Sequence, residues 1–313
     1  MKEFMMTEIA VLLAEYRAKN APSAVERLAF VGVADKDVYN ITAPFVVAEG
    51  VAVIAGRVES RDSEMAEIGF FEQRDASWVW LDGMPELALQ DPFVTRIDGE
   101  WIIGGVEVFP SEADPAKLAW RTCLYRGAQL ADLTLFFQGP VGMKDLRLKQ
   151  LTNGDIAVFT RPQGEKGGRG KIGFCLVKNL ADVTIELIEA APLLAPHFAE
   201  NEWGGANEIH VLKNGKLGVL AHIANFDLAG NRHYYAAICV IDPQDGTIVA
   251  PMEIISERGD FLAGPSKRPD LVDVVFSGGL IRKPDGTADL YVGISDADAQ
   301  KRTIRDPFVK FEG

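Results

Sequence analysis

Cysteine and histidine are scarce in this sequence. Its 313 residues contain three cysteines and four histidines. Cys123, Cys175 and Cys239 lie far apart, and neither residue type shows the spacing of a metal site. An odd number of dispersed cysteines is typical of reduced thiols in the core of a cytosolic protein. We therefore expect buried thiols, a cytoplasmic location and no metal ion.

Basic residues are also few relative to acidic ones. Lysine and arginine total 32 against 45 aspartates and glutamates, which gives a formal net charge of −13. Nucleic acids and anionic membranes are bound through basic surfaces, so this balance argues against both as partners. An anionic substrate would need a local basic cluster.

Long hydrophobic runs are absent as well, although 48% of the residues are hydrophobic. No run is long enough to span a membrane. Near the start, after Thr7 as the expected N-cap, apolar residues follow helical spacing: Ile9, Leu12, Leu13 and Tyr16. Glutamates interrupt this segment too often for a signal peptide. Residues 1–22 are therefore predicted to be a helical cap on a cytoplasmic protein.

Short apolar runs separated by glycine turns recur along the whole chain. In LALQDPFVTRIDGEWIIGG, residues 87–105, a polar residue heads an apolar strand, a glycine turn and a second apolar strand. Five such units have turn glycines at intervals of 49 to 71 residues: Gly50, Gly99, Gly154, Gly215 and Gly286. Four of these turns are Asp-Gly or Asn-Gly, which is a strong hairpin signal. The repeat predicts an all-β fold, a five-bladed β-propeller that forms a single domain over residues 1–313.

Polar residues head the repeated units. In a propeller the first strand of each blade lines the central channel, so these residues should converge at one end of the axis. They are Asn40, Asp91, Lys144, Asp145, Arg147, Asn207, Glu208 and Asp273. A concave, charged site is the default candidate for an active site. For Asp145, Glu208 and Asp273 the alternative is a structural role, in which the carboxylate binds neighbouring backbone N–H groups.

Further basic residues could join this site. Arg57, Arg161 and His222, together with Lys144 and Arg147, could hold an oxyanion such as inorganic phosphate, because arginine and protonated histidine form charge-assisted hydrogen bonds with phosphate oxygens. Two alternatives remain open. Arg147 could lie on a solvated surface, and His222, which stands between apolar neighbours, could be a core histidine.

The order of several motifs resembles a known group of enzymes. QDPF, KDLRL, FTRPQG, WGGANEIHVLKNGKLGVLAHI, RHYYAAICVIDP, DVVFSGGL and LYVGISDAD follow one another in the chain. This series resembles the five-bladed β-mannoside phosphorylases of glycoside hydrolase family 130. It is more similar to glycosyltransferase family 108, the mannosyltransferase/phosphorylases that make and degrade β-1,2-mannan. The resemblance covers residues from about 38 to about 300.

The resemblance implies a general acid and a phosphate site. In these families the aspartate of a Glu-Asp-Pro-Arg-like motif is the acid, which corresponds to Asp91. Basic residues that correspond to Lys144, Arg161 and His222 hold phosphate. Phe93 stands where family 130 has arginine, so one contact of that motif is lost or replaced.

The resemblance also implies a sugar subsite. The family residues that hold the reacting sugar correspond to Asn40, Arg57 and Asp296. We further assign to substrate binding the polar or aromatic residues Asp145, Arg147, Glu208, Tyr234 and Asp273.

These assignments, with the resemblance, predict inverting phosphorolysis of β-mannosides, with β-1,2-linked manno-oligosaccharides as the expected substrates, or the reverse synthesis. Phosphate would attack the anomeric carbon while Asp91, kept protonated by burial, gives a proton to the leaving oxygen. The product would be α-mannose 1-phosphate. The predicted partners are an oligosaccharide or mannose 1-phosphate, with inorganic phosphate as co-substrate and no other cofactor; the sequence leaves a homo-oligomer open.

Three alternatives remain at this point. A hydrolase would need a base, for which Glu208 or Asp145 could serve. A nucleotide-sugar-dependent mannosyltransferase would need room for a nucleoside, and GEKGGRGK, residues 164–171, is the candidate, although a flexible hairpin turn fits that loop better. A non-catalytic carbohydrate-binding propeller could stack sugars on Trp203, Tyr234 and Tyr235.

Overall fold

The computed structural model describes residues 7–47, 50–194 and 198–312. β-Strands make up most of the regular structure, which confirms the mostly-β class that the hairpin signals predict. The helical segments in these ranges are short: α1 (Ile9–Lys19), α2 (Gly164–Gly167), α3 (Ile185–Ala190) and the 3-10 turns Leu130–Asp132, Leu180–Asp182, Arg258–Asp260, Pro269–Leu271 and Val309–Phe311. Among the described residues, no helix is both long and apolar enough to cross a membrane.

The described strands form four hydrogen-bonded sheets, paired mainly antiparallel, and one of these sheets contains the last two of five consecutive groups of strands. The first group is β2 (Ala29–Val31), β3 (Asp37–Tyr39), β4 (Phe45–Val46), β5 (Ala52–Glu59), β6 (Glu67–Arg74) and β7 (Ser77–Trp80). The second is β8 (Gln90–Ile97), β9 (Glu100–Pro110), β10 (Leu118–Gly127) and β11 (Thr134–Gln138). The third is β12 (Arg147–Gln150), β13 (Ile156–Thr160) and β14 (Gly173–Val177). The fourth is β15 (Trp203–Val211), β16 (Leu217–Phe226), β17 (Arg232–Ile241) and β18 (Ile248–Ser256). The fifth is β19 (Asp273–Arg282), β20 (Thr287–Ile294) and β21 (Asp298–Arg305), joined by β1 (Val25–Arg27).

The groups contact one another in a closed order. Strands β5, β8, β12, β15 and β19 are successive neighbours, and β20 and β21 contact β3 of the first group. Strand β1 pairs with β21, with Val25 opposite Arg302, so segments from the two ends of the chain share one sheet. A short parallel pairing of β17 with β19 links the fourth and fifth groups. The five-bladed propeller stays a prediction, and this order of contacts agrees with it.

The core is divided in the same cyclic way. Five apolar clusters each join two neighbouring groups, and one of them joins the fifth group to the first. Burial of these side chains is the main favourable term that holds the groups together. Cys123 and Cys239 are buried, and Cys175 is partly buried. All three are free thiols, as expected.

The predicted turn glycines have the backbone conformation that those turns require. Their φ angles lie between +78° and +89° in all five units: Gly50, Gly99, Gly154, Gly215 and Gly286. Glycine adopts this left-handed region without the steric cost that a Cβ brings. The hairpin prediction is therefore confirmed at these positions.

Helix α1 begins later than the sequence suggests. Residues 1–6 of the predicted helical cap lie outside the described residues. Thr7 is not the N-cap; Glu8 is, and its side chain makes no capping hydrogen bond. The N–H of Ile9 instead donates to Glu202 Oε1 at 2.6 Å. A carboxylate from a distant part of the chain therefore replaces a local cap, and its charge also suits the positive end of the helix dipole.

Candidate active site

Four polar residues of the site share an unusual backbone conformation. Asn40, Asp91, Asp145 and Asp296 have φ angles of 45°, 49°, 59° and 51°. Asn and Asp tolerate this left-handed region better than other residues with a Cβ. Asp91 lies in a β-bulge of β8, which changes the direction of its side chain. Such conformations cost energy and occur often at functional sites, so the shared feature marks these positions.

Asp91 is buried and bound through one of its two carboxyl oxygens. Its Oδ1 accepts hydrogen bonds from Asn40 Nδ2 at 2.8 Å and from Arg57 Nη1 at 3.2 Å. Within the described part of the chain, Oδ2 accepts none. The structure thus brings these three predicted residues together and leaves one carboxyl oxygen available to a substrate.

The protonation state of Asp91 differs from our expectation. Burial raises its pKa, but Arg57, Lys144 and the hydrogen bond from Asn40 together lower the pKa below its ordinary value. The prediction that burial keeps Asp91 protonated is therefore wrong for the site without substrate, because two nearby cations outweigh the loss of solvent.

Arg57 is held by residues that the sequence did not reveal. Its Nη2 donates to Glu59 Oε2 at 2.8 Å, and its guanidinium lies 4.9 Å from the ring centre of Tyr39. Lys267, which is almost fully buried, also donates to Glu59 Oε2, at 2.8 Å. The Tyr39 hydroxyl donates to the same oxygen. Glu59 thus anchors Arg57, which binds Asp91, and Lys267, which acts on Asp296.

Asp296 is the second carboxyl group near Arg57. Burial raises the pKa of Asp296, and the Asp91 carboxylate raises it further, against the opposing effects of Arg57 and Lys267. The pKa values of the two carboxyl groups are therefore shifted in opposite directions, since that of Asp91 is lowered.

Asp145 and two arginines form the adjoining basic half of the site. Its carboxylate oxygens lie 3.6 Å from Arg147 Nη2 and 3.5 Å from Arg161 Nη1. Burial raises the pKa of Asp145, but Arg161, Lys144 and Arg147 lower it to about 2. Asp145 is therefore ionised and committed to its neighbours, which makes it a poor base for a hydrolase.

Two cationic groups here lack hydrogen-bond partners among the described residues. Arg161 Nη1 is buried and makes no hydrogen bond with any described residue, although it lies 3.5 Å from the Asp145 carboxylate. Lys144 is partly buried and makes neither a hydrogen bond nor an ion pair with the described part of the chain. Buried donors without partners are rare and costly, so they indicate a ligand.

Backbone carbonyls fix the guanidinium of Arg147, and its predicted role in binding substrate stays a prediction. Arg147 is 1% exposed, so it does not lie on a solvated surface. Its Nε donates to Asn207 O at 3.0 Å and its Nη1 to Leu146 O at 3.1 Å. The ring of Phe93 lies 4.7 Å from its guanidinium. Arg147 therefore supports the site through backbone carbonyls and packs on the phenylalanine that departs from the family motif.

The glycine-rich loop of residues 164–171 supports Arg161. Arg161 Nε donates to Gly204 O at 2.7 Å, and Nη2 donates to Arg169 O at 3.3 Å. A Cβ at Gly170 would lie 2.6 Å from Arg161 Cζ. The loop therefore packs against the arginine instead of forming a free hairpin turn.

His222 is buried beside the basic cluster. Its Nδ1 lies 2.9 Å from Asn207 Oδ1, and its ring stacks on Tyr234 with centres 5.5 Å apart. The Tyr234 hydroxyl accepts a hydrogen bond from Trp203 Nε1 at 3.0 Å. Burial lowers the pKa of His222 to about 3. The expectation of a protonated histidine is therefore wrong; a neutral imidazole lies at this position.

Glu208 and Asp273 do not join the other predicted residues. Glu208 Oε2 accepts a hydrogen bond from Leu280 N at 2.7 Å, and Glu208 lines a separate cavity of about 560 Å³. Asp273 binds His233 Nδ1 at 2.5 Å. Among the described residues neither side chain makes a hydrogen bond or ion pair with Asp91, Asp145 or Arg161, and their role in binding substrate stays a prediction. For Glu208 the alternative, a carboxylate that binds a neighbouring backbone N–H, is confirmed.

The site as a whole combines a carboxyl group with an anion-binding region. Lys144 lowers the pKa of both Asp91 and Asp145, so the two halves adjoin. Arg161 and Lys144 can bind an oxyanion, and the free oxygen of Asp91 can carry a proton toward a bound molecule.

Comparison with known proteins agrees with this chemistry. The model of a protein family described as a protein of unknown function, DUF1861, matches residues 15–310. The structure is similar to that of a mannose phosphorylase from Leishmania mexicana in complex with phosphate ion, with 33% identity, a TM-score of 0.88, and coverage of 97% of this chain and 95% of that chain. It is also similar to a GDP-Man-dependent mannosyltransferase from Leishmania mexicana, with 28% identity, a TM-score of 0.87, and coverage of 97% and 96%.

More distant similarity extends to a β-1,2-mannobiose phosphorylase from Listeria innocua. The identity is 14%, the TM-score is 0.63, and the alignment covers 94% of both chains, so this match concerns the fold alone. The search of curated proteins found no match. The resemblance to mannoside phosphorylases and mannosyltransferases that the motifs indicate is confirmed by these neighbours.

Proposed function

We propose that this chain, which belongs to the DUF1861 protein family, is a β-mannoside phosphorylase that can also run in the synthetic direction. The observation that carries the proposal is the buried Nη1 of Arg161, which forms no hydrogen bond with any described residue and lies 3.5 Å from the Asp145 carboxylate. Lys144 lowers the pKa of both Asp145 and Asp91, so these charged groups share one site. The similarity to a mannose phosphorylase in complex with phosphate supports phosphate as the missing partner of these donors.

The proposed fold is a five-bladed β-propeller with the site at one end of its axis. Support comes from the closed order of contacts among the five strand groups and from the clusters that join each neighbouring pair. In that arrangement the left-handed residues Asn40, Asp91, Asp145 and Asp296 come from different groups and face one region.

In the proposed reaction, phosphate held by Lys144 and Arg161 attacks the anomeric carbon of a β-mannosyl unit. The bond to the leaving oxygen breaks, and Asp91 gives that oxygen a proton directly or through a sugar hydroxyl. The attack inverts the configuration, so the product is α-mannose 1-phosphate. Hydrogen phosphate brings one proton with it, and transfer of this proton to Asp91 replaces the proton that Asp91 gave to the leaving oxygen. The substrate we favour is a β-1,2-linked manno-oligosaccharide.

The acid must gain its proton when the substrates bind. In the free site Lys144 and Arg57 lower the pKa of Asp91. A bound phosphate anion would neutralise Lys144 and add negative charge, and both effects raise the pKa of Asp91. We therefore expect Asp91 to be protonated in the complex with phosphate and sugar, with Asn40, Arg57 and Asp296 holding the sugar.

The second candidate is a mannosyltransferase that uses a nucleotide-sugar donor. The similarity to a GDP-Man-dependent mannosyltransferase favours it. A diphosphate could use the same donors on Arg161 and Lys144. The glycine-rich loop of residues 164–171 is a weaker candidate for a nucleoside pocket, because the backbone of the loop already packs against Arg161.

The test is product analysis with β-1,2-mannobiose, with and without phosphate, and with GDP-mannose plus mannose as a parallel reaction. Mannose 1-phosphate that forms only with phosphate supports the phosphorylase. Release of GDP supports the transferase, and free mannose in both buffers supports a hydrolase. The Asp91→Asn variant should lose roughly 100-fold or more of the activity, as expected for removal of a general acid. Wild-type-like turnover by this variant would contradict the assignment of the acid.

A further inference from the structure

The orientation of the Asn207 side chain is fixed by its partners. Its Nδ2 lies 2.6 Å from Ser277 O and 2.9 Å from Ser277 Oγ. A backbone carbonyl only accepts hydrogen bonds, so the NH₂ group of Asn207 must face it. The Ser277 hydroxyl donates to Ala221 O at 2.8 Å, so its oxygen is also an acceptor toward Asn207. The amide oxygen of Asn207 therefore points the other way, toward His222.

This orientation determines the tautomer of His222. Asn207 Oδ1 can only accept, and it lies 2.9 Å from His222 Nδ1. His222 must therefore carry its proton on Nδ1. Its Nε2 is then an unprotonated acceptor, and it has no hydrogen-bond partner in the described part of the chain.

The imidazole ring of His222 adjoins the side chain of Arg161. A Cβ built at Gly205 would lie 2.8 Å from Arg161 Cδ and 3.0 Å from His222 Cε1, the ring atom between Nδ1 and Nε2. The side chains of Arg161 and His222 thus both border the space in front of Gly205. The region therefore combines a buried N–H donor of Arg161 that has no hydrogen-bond partner with the lone pair of His222, and the charge of Lys144 also acts on His222.

We propose that His222 Nε2 accepts a hydrogen bond from the P–OH group of bound hydrogen phosphate, so that the site selects a protonated oxyanion over a fully deprotonated one such as sulfate. This inference rests on the proposed function, which makes phosphate a substrate. A tetrahedral anion without a proton would turn an oxygen lone pair toward the lone pair of Nε2 and leave a buried acceptor unpaired.

Protonation of His222 offers little relief for such an anion. Burial lowers the pKa of His222, and the neighbouring cations Arg161, Lys144 and Arg147 lower it further against the effect of Asp145. Asp145 is not an alternative acceptor, because its carboxylate already faces Arg147 and Arg161. The neutral imidazole is thus the acceptor that remains for a P–OH group.

The first experiment is isothermal titration of the whole protein with phosphate, arsenate and sulfate at neutral pH and constant ionic strength. Hydrogen phosphate and hydrogen arsenate keep a proton under these conditions, whereas sulfate does not. We expect both protonated anions to bind roughly tenfold or more tightly than sulfate, the effect of about one hydrogen bond. Equal binding of phosphate and sulfate overturns this inference and leaves the phosphorylase proposal intact. Binding of neither anion overturns both.

The matched variants are His222→Phe, which keeps a ring on Tyr234 but removes the acceptor, and Tyr234→Phe, which keeps the acceptor. The preference for phosphate over sulfate should disappear in the first and persist in the second. If His222→Phe does not fold, ¹⁵N NMR of the wild-type imidazole decides the question. We expect unprotonated Nε2 in the free protein, with a signal that shifts on addition of phosphate but not of sulfate. A proton on Nε2 at neutral pH would contradict the inference.

Discussion

Asn40 Nδ2 donates a 2.8 Å hydrogen bond to Asp91 Oδ1, and both residues have left-handed backbone φ angles. The two strained positions therefore support each other across 51 residues of sequence. The bond favours the ionised form of Asp91 and is one cause of its lowered pKa. Asn40 thus controls both the direction and the proton affinity of the proposed acid.

Replacement of Asn40 by glycine should change the pH dependence of catalysis. Asn40→Gly removes the donor, while glycine tolerates the φ angle of 45°. The pKa of Asp91 should rise, so the descending limb of kcat/KM, where the acid loses its proton, should move to higher pH. The measurement is a pH profile of phosphorolysis for both proteins. A limb that stays in place or moves to lower pH would count against Asp91 as the acid.

Substitution of Gly170 should weaken phosphate binding through Arg161. In Gly170→Ala the new Cβ would lie 2.6 Å from Arg161 Cζ, so the guanidinium must move. We expect KM for phosphate to rise roughly tenfold, the loss of about one charged hydrogen bond. KM for the mannoside should change little.

Gly168→Ala is the matched control in the same loop. Gly168 also has a positive φ, 59° compared with 142° at Gly170, but a Cβ there would meet no atom within 4 Å. Both variants therefore carry backbone strain, and only one displaces the arginine. Equal effects on KM for phosphate in the two variants would show that strain alone explains the result.

Asp145 should be required for stability at neutral pH. Its folded pKa of about 2 lies below the ordinary value of 3.8, so its contribution is present above pH 3.8 and is lost as pH falls toward 2. Asp145→Asn keeps a residue that tolerates the φ angle but leaves Arg147 and Arg161 without their counterion. We expect a loss of about 3 kcal/mol in the free energy of unfolding at neutral pH.

Denaturant unfolding at several pH values tests this expectation. The difference between wild type and Asp145→Asn should shrink as pH falls below 3.8. The control is Asp155→Asn, which removes an ion pair with the highly exposed Lys178 and should cost much less. Similar losses in the two variants would mean that the buried cluster contributes no more than a surface pair.

Residues near the ends of the repeated hairpin strands could be predicted from the sequence. Asp91, Lys144, Arg161 and His222 lie in or beside strands whose glycine turns are visible in the sequence, and the structure brings all four into one site. Hairpin turns depend on local backbone preferences, which a sequence records directly. Strand ends could therefore be located to within a residue or two.

A shift of one residue in strand register explains why Glu208 does not join the other predicted site residues. A register shift between Ala206 and Glu208 interrupts β15, and the side chains of Asn207 and Glu208 turn to different partners. Neighbouring residues of a strand point to opposite faces of the sheet, and a bulge changes the face to which each following residue points. The sequence does not record such a bulge, so it could not decide which residue of the pair reaches the site.

The anchor of Arg57 was beyond sequence reasoning for a different reason. Lys267 reaches Glu59 across 208 positions, from a loop without a recognisable motif. Proton affinities depend on the same distant contacts. The lowered pKa of Asp91 reflects the balance of burial against Arg57 and Lys144, which can be calculated only once the cations have been located.

The neutral state of His222 should be visible in acid unfolding. Its folded pKa of about 3 lies below the ordinary value of 6.5, so the unfolded chain binds a proton in this range that the folded protein does not. The free energy of unfolding should therefore fall as pH decreases from 6.5 toward 3, with a contribution from His222 of up to about 1.4 kcal/mol per pH unit. His222→Phe should lack this part of the slope.

His233 provides a control of opposite sign. Desolvation lowers its pKa, but hydrogen bonds to Asp273 and Asp227 raise it above the ordinary value overall. Its stabilising contribution is thus present below pH 6.5 and is lost as pH rises. His233→Gln should therefore lose stability relative to wild type as pH falls, whereas His222→Phe should gain it. Slopes of the same sign in both variants would exclude a neutral, proton-free Nε2 at His222 as the source of the acid sensitivity.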